Sequence, residues 1–211
     1  GVPYWISNYT ALRVERETGD TGPGPKLTVG AGVTLAFEPG DNAGFRIGGS
    51  GSTPAPGSLA IDGTSAAPVT LTSAAAAPVR GDWPGLVFPP GAGAAGSIQS
   101  ITHATIEYAG RSAGISGYAC YSEDSGGTRL EEDGALIIFG WAPTTSFLEN
   151  STLRHSLGWG VFRGWDTTLG GDVDFTATNT FFDLEACQQN NIKDTCPGAG
   201  AAVVYACAGT V

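Results

Sequence analysis

Ala104-Thr105-Ile106, followed by Gly114-Ile115, returns 46 to 47 residues later as Ser151-Thr152-Leu153 followed by Gly160-Val161. Its first half returns again as Asn179-Thr180-Phe181, another 28 residues on. A shorter echo runs through the amino half. Leu35-Ala36-Phe37 is followed after 24 residues by Leu59-Ala60-Ile61, and after another 27 by Leu86-Val87-Phe88. Self-similarity at spacings of about 20 to 50 residues marks a repeat architecture. Units this short, with no long helix between them, predict a coil of three short strands per turn. Each coil then buries its inward residues only against the coils above and below it.

The rest of the chain agrees with strands. Apolar residues do not recur at helical spacing over any window of a dozen residues, and Gly or Pro interrupts most windows. Alternating or apolar segments lie at Leu27 to Val29, Val33 to Phe37, Phe45 to Ile47, Leu59 to Ile61, Val69 to Thr72, Leu86 to Phe88 and Ile98 to Tyr108. Others follow at Ala135 to Phe139, Phe147 to Leu153, Val161 to Phe162, Val173 to Phe182 and Val203 to Tyr205. Turn residues separate them. The fold class expected is all-β: a right-handed parallel β-helix, a single-stranded solenoid whose coils stack roughly 4.8 Å apart and tolerate loop insertions at the turns. Residues 1–26 read as a leading segment or N-terminal cap, and 27–211 as the β-helix domain with an insertion at 118–134 and a Cys-rich end.

Composition excludes several alternatives. Gly (33) and Pro (13) make up about a fifth of 211 residues without a strict Gly-X-Y period, so the chain is not a collagen helix. Charged residues are only 14% against 41% apolar, which gives the chain enough apolar surface to fold. No apolar run is long enough for a membrane-spanning helix. The net charge of -10, with no Lys/Arg run, repels nucleic acid. With no Met and no apolar leader, Gly1 reads as a processed end.

Four cysteines, Cys120, Cys187, Cys196 and Cys207, are spaced wrongly for zinc: the closest pair encloses eight residues and neither His103 nor His155 lies near it. Disulfides are expected instead, one of three connectivities, with Cys187 to Cys196 as a local loop and Cys120 to Cys207 as the long bridge. Such bridges persist in an oxidising compartment, so a secreted or cell-surface location follows.

One run carries a resemblance. Val33 to Gly40, Ser58 to Thr64, Ala67 to Ser73 and Gly81 to Phe88 place an apolar strand before Glu-Pro-Gly, then a Gly-Thr turn, a Pro-Val-Thr strand and Gly-Asp-Trp. The continuation Ile101 to Gly110 is alike. The run resembles right-handed parallel β-helix domains of bacterial secreted and cell-surface proteins. The carboxyl half, with Gly134 to Ile138, Phe147 to Ser156 and the late Cys pair, resembles surface lipoproteins of predatory or gliding soil bacteria, the myxobacterial type. The resemblance implies coil geometry and carries no chemistry.

Chemistry-bearing residues are sparse. A polysaccharide lyase needs a carboxylate-bound cation and an Arg or Lys base. Asp172 and Asp174, with Arg154 and Arg163, are the residues for such a site, the two Asp at strand spacing that shares one face. Glu131, Glu132 and Asp133 form an acidic run suited either to calcium or to a solvated loop. Trp141, Trp159 and Trp165 offer aromatic surface for stacking on sugar rings, or fill the core. His103 and His155 fall at different places in the repeat and read as strand residues satisfied by neighbours. No hydrolase or zinc motif accompanies them.

Two functions are therefore expected. The first is an extracellular structural, adhesive or filament-forming module, non-enzymatic and without a cofactor, that contacts glycans or joins copies of itself through the solenoid ends. The second is a calcium-assisted polysaccharide lyase or glycoside hydrolase.

Overall fold

The computed structural model describes residues 2–9, 11–17, 19–42, 44–50, 53–113, 120, 133–196 and 205–208. Among these the elements are β1 (Tyr4–Ile6), β2 (Leu12–Val14), β3 (Lys26–Gly30), β4 (Thr34–Phe37), β5 (Phe45–Ile47), β6 (Ser58–Asp62), β7 (Val69–Ser73) and β8 (Leu86–Phe88). They continue as β9 (Gln99–Thr102), β10 (Ala104–Glu107), β11 (Gly134–Phe139), β12 (Leu148–Glu149), β13 (Thr152–Ser156), β14 (Trp159–Gly164) and β15 (Thr180–Leu184). A 3-10 turn at Pro90–Gly93 occupies the Gly- and Ala-rich stretch after β8.

Three sheets hold all the strands. Sheet A runs β1-β4-β7-β10-β13-β15, sheet B β2-β5-β8-β11-β14 and sheet C β3-β6-β9-β12. Every neighbouring pair is parallel. The chain visits A, B and C in fixed rotation from β1 to β14, so each strand pairs with the strands one round earlier and later. The protein is all-β with three parallel sheets, and its strand order fits a β-helix.

Side-chain columns explain why these residues make these strands. Leu35, Leu71, Ile106 and Leu153 face inward at one register position of sheet A. Phe45, Leu86, Leu136 and Val161 do so in sheet B, and Val29, Ile61, Ile101 and Leu148 in sheet C. All twelve are buried, and each contributes roughly 1.5–3 kcal/mol. Outward, Thr34, Thr70, Thr105, Thr152 and Thr180 form a threonine column on sheet A, as β-branched residues favour on a pleated surface.

The long echo therefore reports true register: Thr105 sits beside Thr152, and Thr152 beside Thr180. Of its later portion, Val161 pairs with Leu136, and Gly114-Ile115 lies outside the described residues. The short echo fails altogether. Leu35, Leu59 and Leu86 lie in sheets A, C and B, because an apolar-x-apolar triplet recurs in every sheet and does not say which.

Corners show the same logic. Trp83, fully buried, stacks on Phe37 with ring centres 4.1 Å apart and donates its indole N–H to the Glu107 carbonyl at 2.9 Å. Gly110 has φ +94°, and a Cβ there would lie 1.8 Å from the Leu157 carbonyl oxygen one round on, so only glycine fits. Two long segments expected as single strands are each cut by a left-handed residue: His103 (φ 49°) between β9 and β10, and Asn150 (φ 50°) between β12 and β13. Strand alternation therefore does not carry across His103. Of the stretch Val173 to Phe182, only its end is strand, in β15.

The leading segment supplies β1 and β2, short strands that open sheets A and B. The disulfides join Cys120 to Cys196 and Cys187 to Cys207, with Cα separations of 5.0 and 5.7 Å, which corrects the expected pairing. The reason lies in the return of the tail. Asn190 bridges Cys207 antiparallel, which brings Cys207 beside Cys187, while the backbone N–H of Cys196 is drawn to Asp166 at 2.8 Å. Most of the insertion 118–134 lies outside the described residues, as do residues 201–204. No helix of the described residues is long and apolar enough to cross a membrane.

Candidate functional site

The distal end of sheet A breaks the rule of alternation. In β13, Leu153 is buried and Arg154 faces outward, so His155 should turn in. Instead His155 has φ 51° and remains about a third exposed, and Ser156 takes the buried position. The equivalent residues of the neighbouring rounds do the same: Tyr108 (φ 60°) after Glu107, and Asp183 (φ 53°) after Phe182. Each such residue costs about 1–3 kcal/mol of backbone strain. The result is two adjacent outward columns, Glu107–Arg154–Phe182 and Tyr108–His155–Asp183.

These side chains are held together. The Thr72 hydroxyl donates to Glu107 Oε1 at 2.8 Å, and Arg154 Nε donates to Glu107 Oε2 at 2.7 Å. The Arg154 guanidinium also lies over the Phe182 ring at 5.7 Å. Asp183 meets His155 Nδ1 with one carboxylate oxygen and Arg80, from the β7–β8 connection, with the other. His155 stacks on Tyr108 with ring centres 5.3 Å apart and meets Phe182 edge-on at 5.5 Å. His155 Nε2 points away from this contact with Asp183. Among the described residues neither it nor the Tyr108 hydroxyl has a hydrogen-bond partner.

Residues expected from sequence are distributed differently. Arg154 belongs to this patch. Arg163 does not: its side chain is fully buried, where it donates to the carbonyls of Asn190 (Nε, 2.8 Å) and Val173 (Nη1, 2.8 Å) and pairs with Asp172. Burial lowers its pKa, and Asp172 and then Asp174 act against that. Asp174 caps a turn by accepting from Thr176 N–H and Oγ1–H, both at 2.7 Å, and from Gln189, which holds its carboxyl below the usual range. Asp172 and Asp174 thus sit near Arg163 but in an irregular segment rather than on a strand face, and they line an open concavity of about 570 Å3 with Thr144, Ser146 and Leu169.

Trp165 is packed in the main core and Trp159 in the second buried cluster with Phe162 and Tyr205, while Trp141 is half-buried with its N–H donated to the Phe88 carbonyl at 3.0 Å. Asp133 is buried, and Glu131 and Glu132 lie outside the described residues. Asp166 is beside the Cys120–Cys196 bridge. Donation from Thr168 and then from the Cys196 N–H holds its carboxyl low.

The two ends of the sheets differ. Beyond β14 and β15 the tail covers sheet B, where Tyr205 packs edge-on against Phe162 and its hydroxyl donates to the Cys120 carbonyl at 2.6 Å. At the opposite end β1, β2 and β3 each have one neighbouring strand among the described residues. There Ile6, Leu12, Leu27 and Leu35 line an apolar hollow of about 370 Å3, and Trp5 (60%), Tyr4 (64%), Tyr9 (89%) and Val2 (90%) are exposed.

Tyr108, His155, Asp183, Glu107 and Arg80 do not stand out as a site in the sequence, although a signal exists. The Thr echo extends without a gap to Glu107-Tyr108, Arg154-His155 and Phe182-Asp183 at the same offsets. No protein-family model, curated protein or solved structure matches this chain at a significant level.

Proposed function

We propose that this chain is a right-handed parallel β-helix module, a single-stranded solenoid, of a secreted or cell-surface protein of the bacterial kind its sequence resembles. It works by contact rather than catalysis, as a structural or adhesive element that joins copies of itself and touches glycans. The observation that carries this reading is the open end. Among the described residues β1, β2 and β3 each have a neighbouring strand on one side only and together line an apolar hollow, and four of the exposed large apolar side chains lie at residues 2–9. Such an edge is a template for another strand, and an apolar patch of this kind marks an interaction surface. Because β1 and β2 are themselves strands, the leading segment extends sheets A and B. Two disulfides agree with an oxidising compartment.

Sedimentation velocity over a concentration series tests the reading. The expected result is reversible association that Trp5→Ser together with Leu27→Asp abolishes. A wild-type chain that stays monomeric at the highest attainable concentration refutes it.

The lyase or hydrolase reading has the concavity beside Asp172 and Asp174 in its favour. Against it, Arg163 is enclosed and committed to backbone carbonyls, and Arg154 lies on sheet A with Glu107.

A further inference from the structure

We propose that the outward face of sheet A where β10, β13 and β15 meet is a binding site for a neutral polysaccharide. Tyr108, His155 and Phe182 supply the rings against which a pyranose lies, and Arg80, Arg154 and Asp183 the hydroxyl partners. The inference rests on the reading that the module works by contact, and it assigns that contact a place and a ligand class.

Three observations carry it. First, the left-handed backbone that this chain mostly assigns to glycine falls, in three successive rounds, to Tyr, His and Asp. A kink needed only to turn the chain is cheapest with glycine. Retaining large side chains at strained positions in a column indicates that the side chains are what the kink serves, since strain of this kind clusters at ligand clamps. Second, the patch is amphipathic and uncommitted on one side. Phe182 is 43% exposed, and the Tyr108 hydroxyl and His155 Nε2 have no partner among the described residues. Each guanidinium has further N–H groups beyond those donated to its carboxylate. A ring with an adjoining polar tip is what recognises a ligand that is apolar on its faces and hydroxylated at its rim.

Third, the charges cancel. Arg154 is matched by Glu107, and Arg80 by Asp183. The patch is locally neutral on a chain of net charge -10. An anionic polysaccharide would meet both the carboxylates and the overall negative field. A neutral one meets only preorganised donors and acceptors, held in place by their own ion pairs.

Affinity gel electrophoresis tests this with hydroxyethyl cellulose, galactomannan, xyloglucan and dextran as neutral probes and polygalacturonate and alginate as acidic ones. The expected result is retardation by at least one neutral polymer and by neither acidic one. Tyr108→Gly, which suits the backbone, and Phe182→Ser are each expected to weaken the apparent affinity about tenfold or more. Tyr108→Gly is also expected to leave the melting temperature equal to or above that of the wild type, which a merely structural role for the ring would not allow. Should Phe182→Ser fail to fold, Tyr108→Gly decides alone. No retardation by any neutral polymer, retardation by the acidic ones only, or undiminished binding by Tyr108→Gly overturns the site. Association through the open end is read separately in the ultracentrifuge, so the two ideas fail independently.

Discussion

Replacing Arg163 by Met separates the two ends of one ion pair. The guanidinium is wholly enclosed, whereas the side chain of its partner Asp172 is 68% exposed. Met fills similar space but donates nothing, so the carbonyls of Asn190 and Val173 lose the guanidinium donors. Leaving two such groups unsatisfied costs about 1–3 kcal/mol each. Relief of the buried charge offsets part of this, and a net loss of about 3 kcal/mol is expected for Arg163→Met. For a chain of this length that lowers Tm by about 9 °C. Asp172→Asn removes only a solvated partner, for a loss below about 1 kcal/mol. Equilibrium denaturation in urea reads both. If Arg163→Met falls within about 1 kcal/mol of wild type, or if Asp172→Asn costs as much, Arg163 does not clamp the backbone.

Non-reducing peptide mapping is expected to recover Cys120 with Cys196 and Cys187 with Cys207. Recovery of Cys187 with Cys196 would show that the tail does not return across sheet B. By loop entropy, with separations of 76 and 20 residues, opening the first bridge costs about 4 kcal/mol and the second about 3 kcal/mol, so Cys120→Ser is the more damaging change. Gly110→Ala, which forces a Cβ into the Leu157 carbonyl, is expected to destabilise by about 2–4 kcal/mol, and an unchanged urea midpoint would contradict the corner geometry. Asp166 and Asp174 have folded-state pKa values depressed below their unfolded ones. Their stabilisation is therefore complete above the unfolded value and lost as pH falls through the folded one. Urea midpoints measured from about pH 6 down to pH 2 should fall less steeply for Asp166→Asn than for wild type, and parallel curves would exclude the assignment.

Most of the architecture could be read from the chain because inward positions hold Leu, Ile, Val and Phe at alternate sites with turn residues between them. Register was legible only where a polar residue marked the column. Thr105, Thr152 and Thr180 align correctly, whereas the Leu triplets align across different sheets. The first two strands, Tyr4–Ile6 and Leu12–Val14, are not among the segments read from the pattern, although Leu12-Arg13-Val14 alternates as Phe45-Arg46-Ile47 does. The long segments read as unbroken because a left-handed His103 or Asn150 leaves no mark in a hydrophobic pattern.

The outward pair of columns was hidden for the same reason: strand alternation assigns His155 to the inside. Arg163 shows the opposite failure. An arginine followed by several Asp residues reads as solvent-facing chemistry, yet here it is enclosed and donates to the Asn190 and Val173 carbonyls. The cysteine pairing departs from expectation because loop length alone favours near neighbours, and only the antiparallel return at Cys207 decides otherwise.

The asymmetry of the two ends has a dynamic consequence. Each strand leans on its neighbours one round away, so stability propagates along the stack as in a one-dimensional array. Two covalent staples fasten the last rounds, and neither reaches the first. Amide hydrogen exchange should then be graded, fastest at Tyr4–Ile6 and slowest near β11 and β14, so that the molecule unzips from one direction. Whatever docks on the first round slows that unzipping for every round behind it.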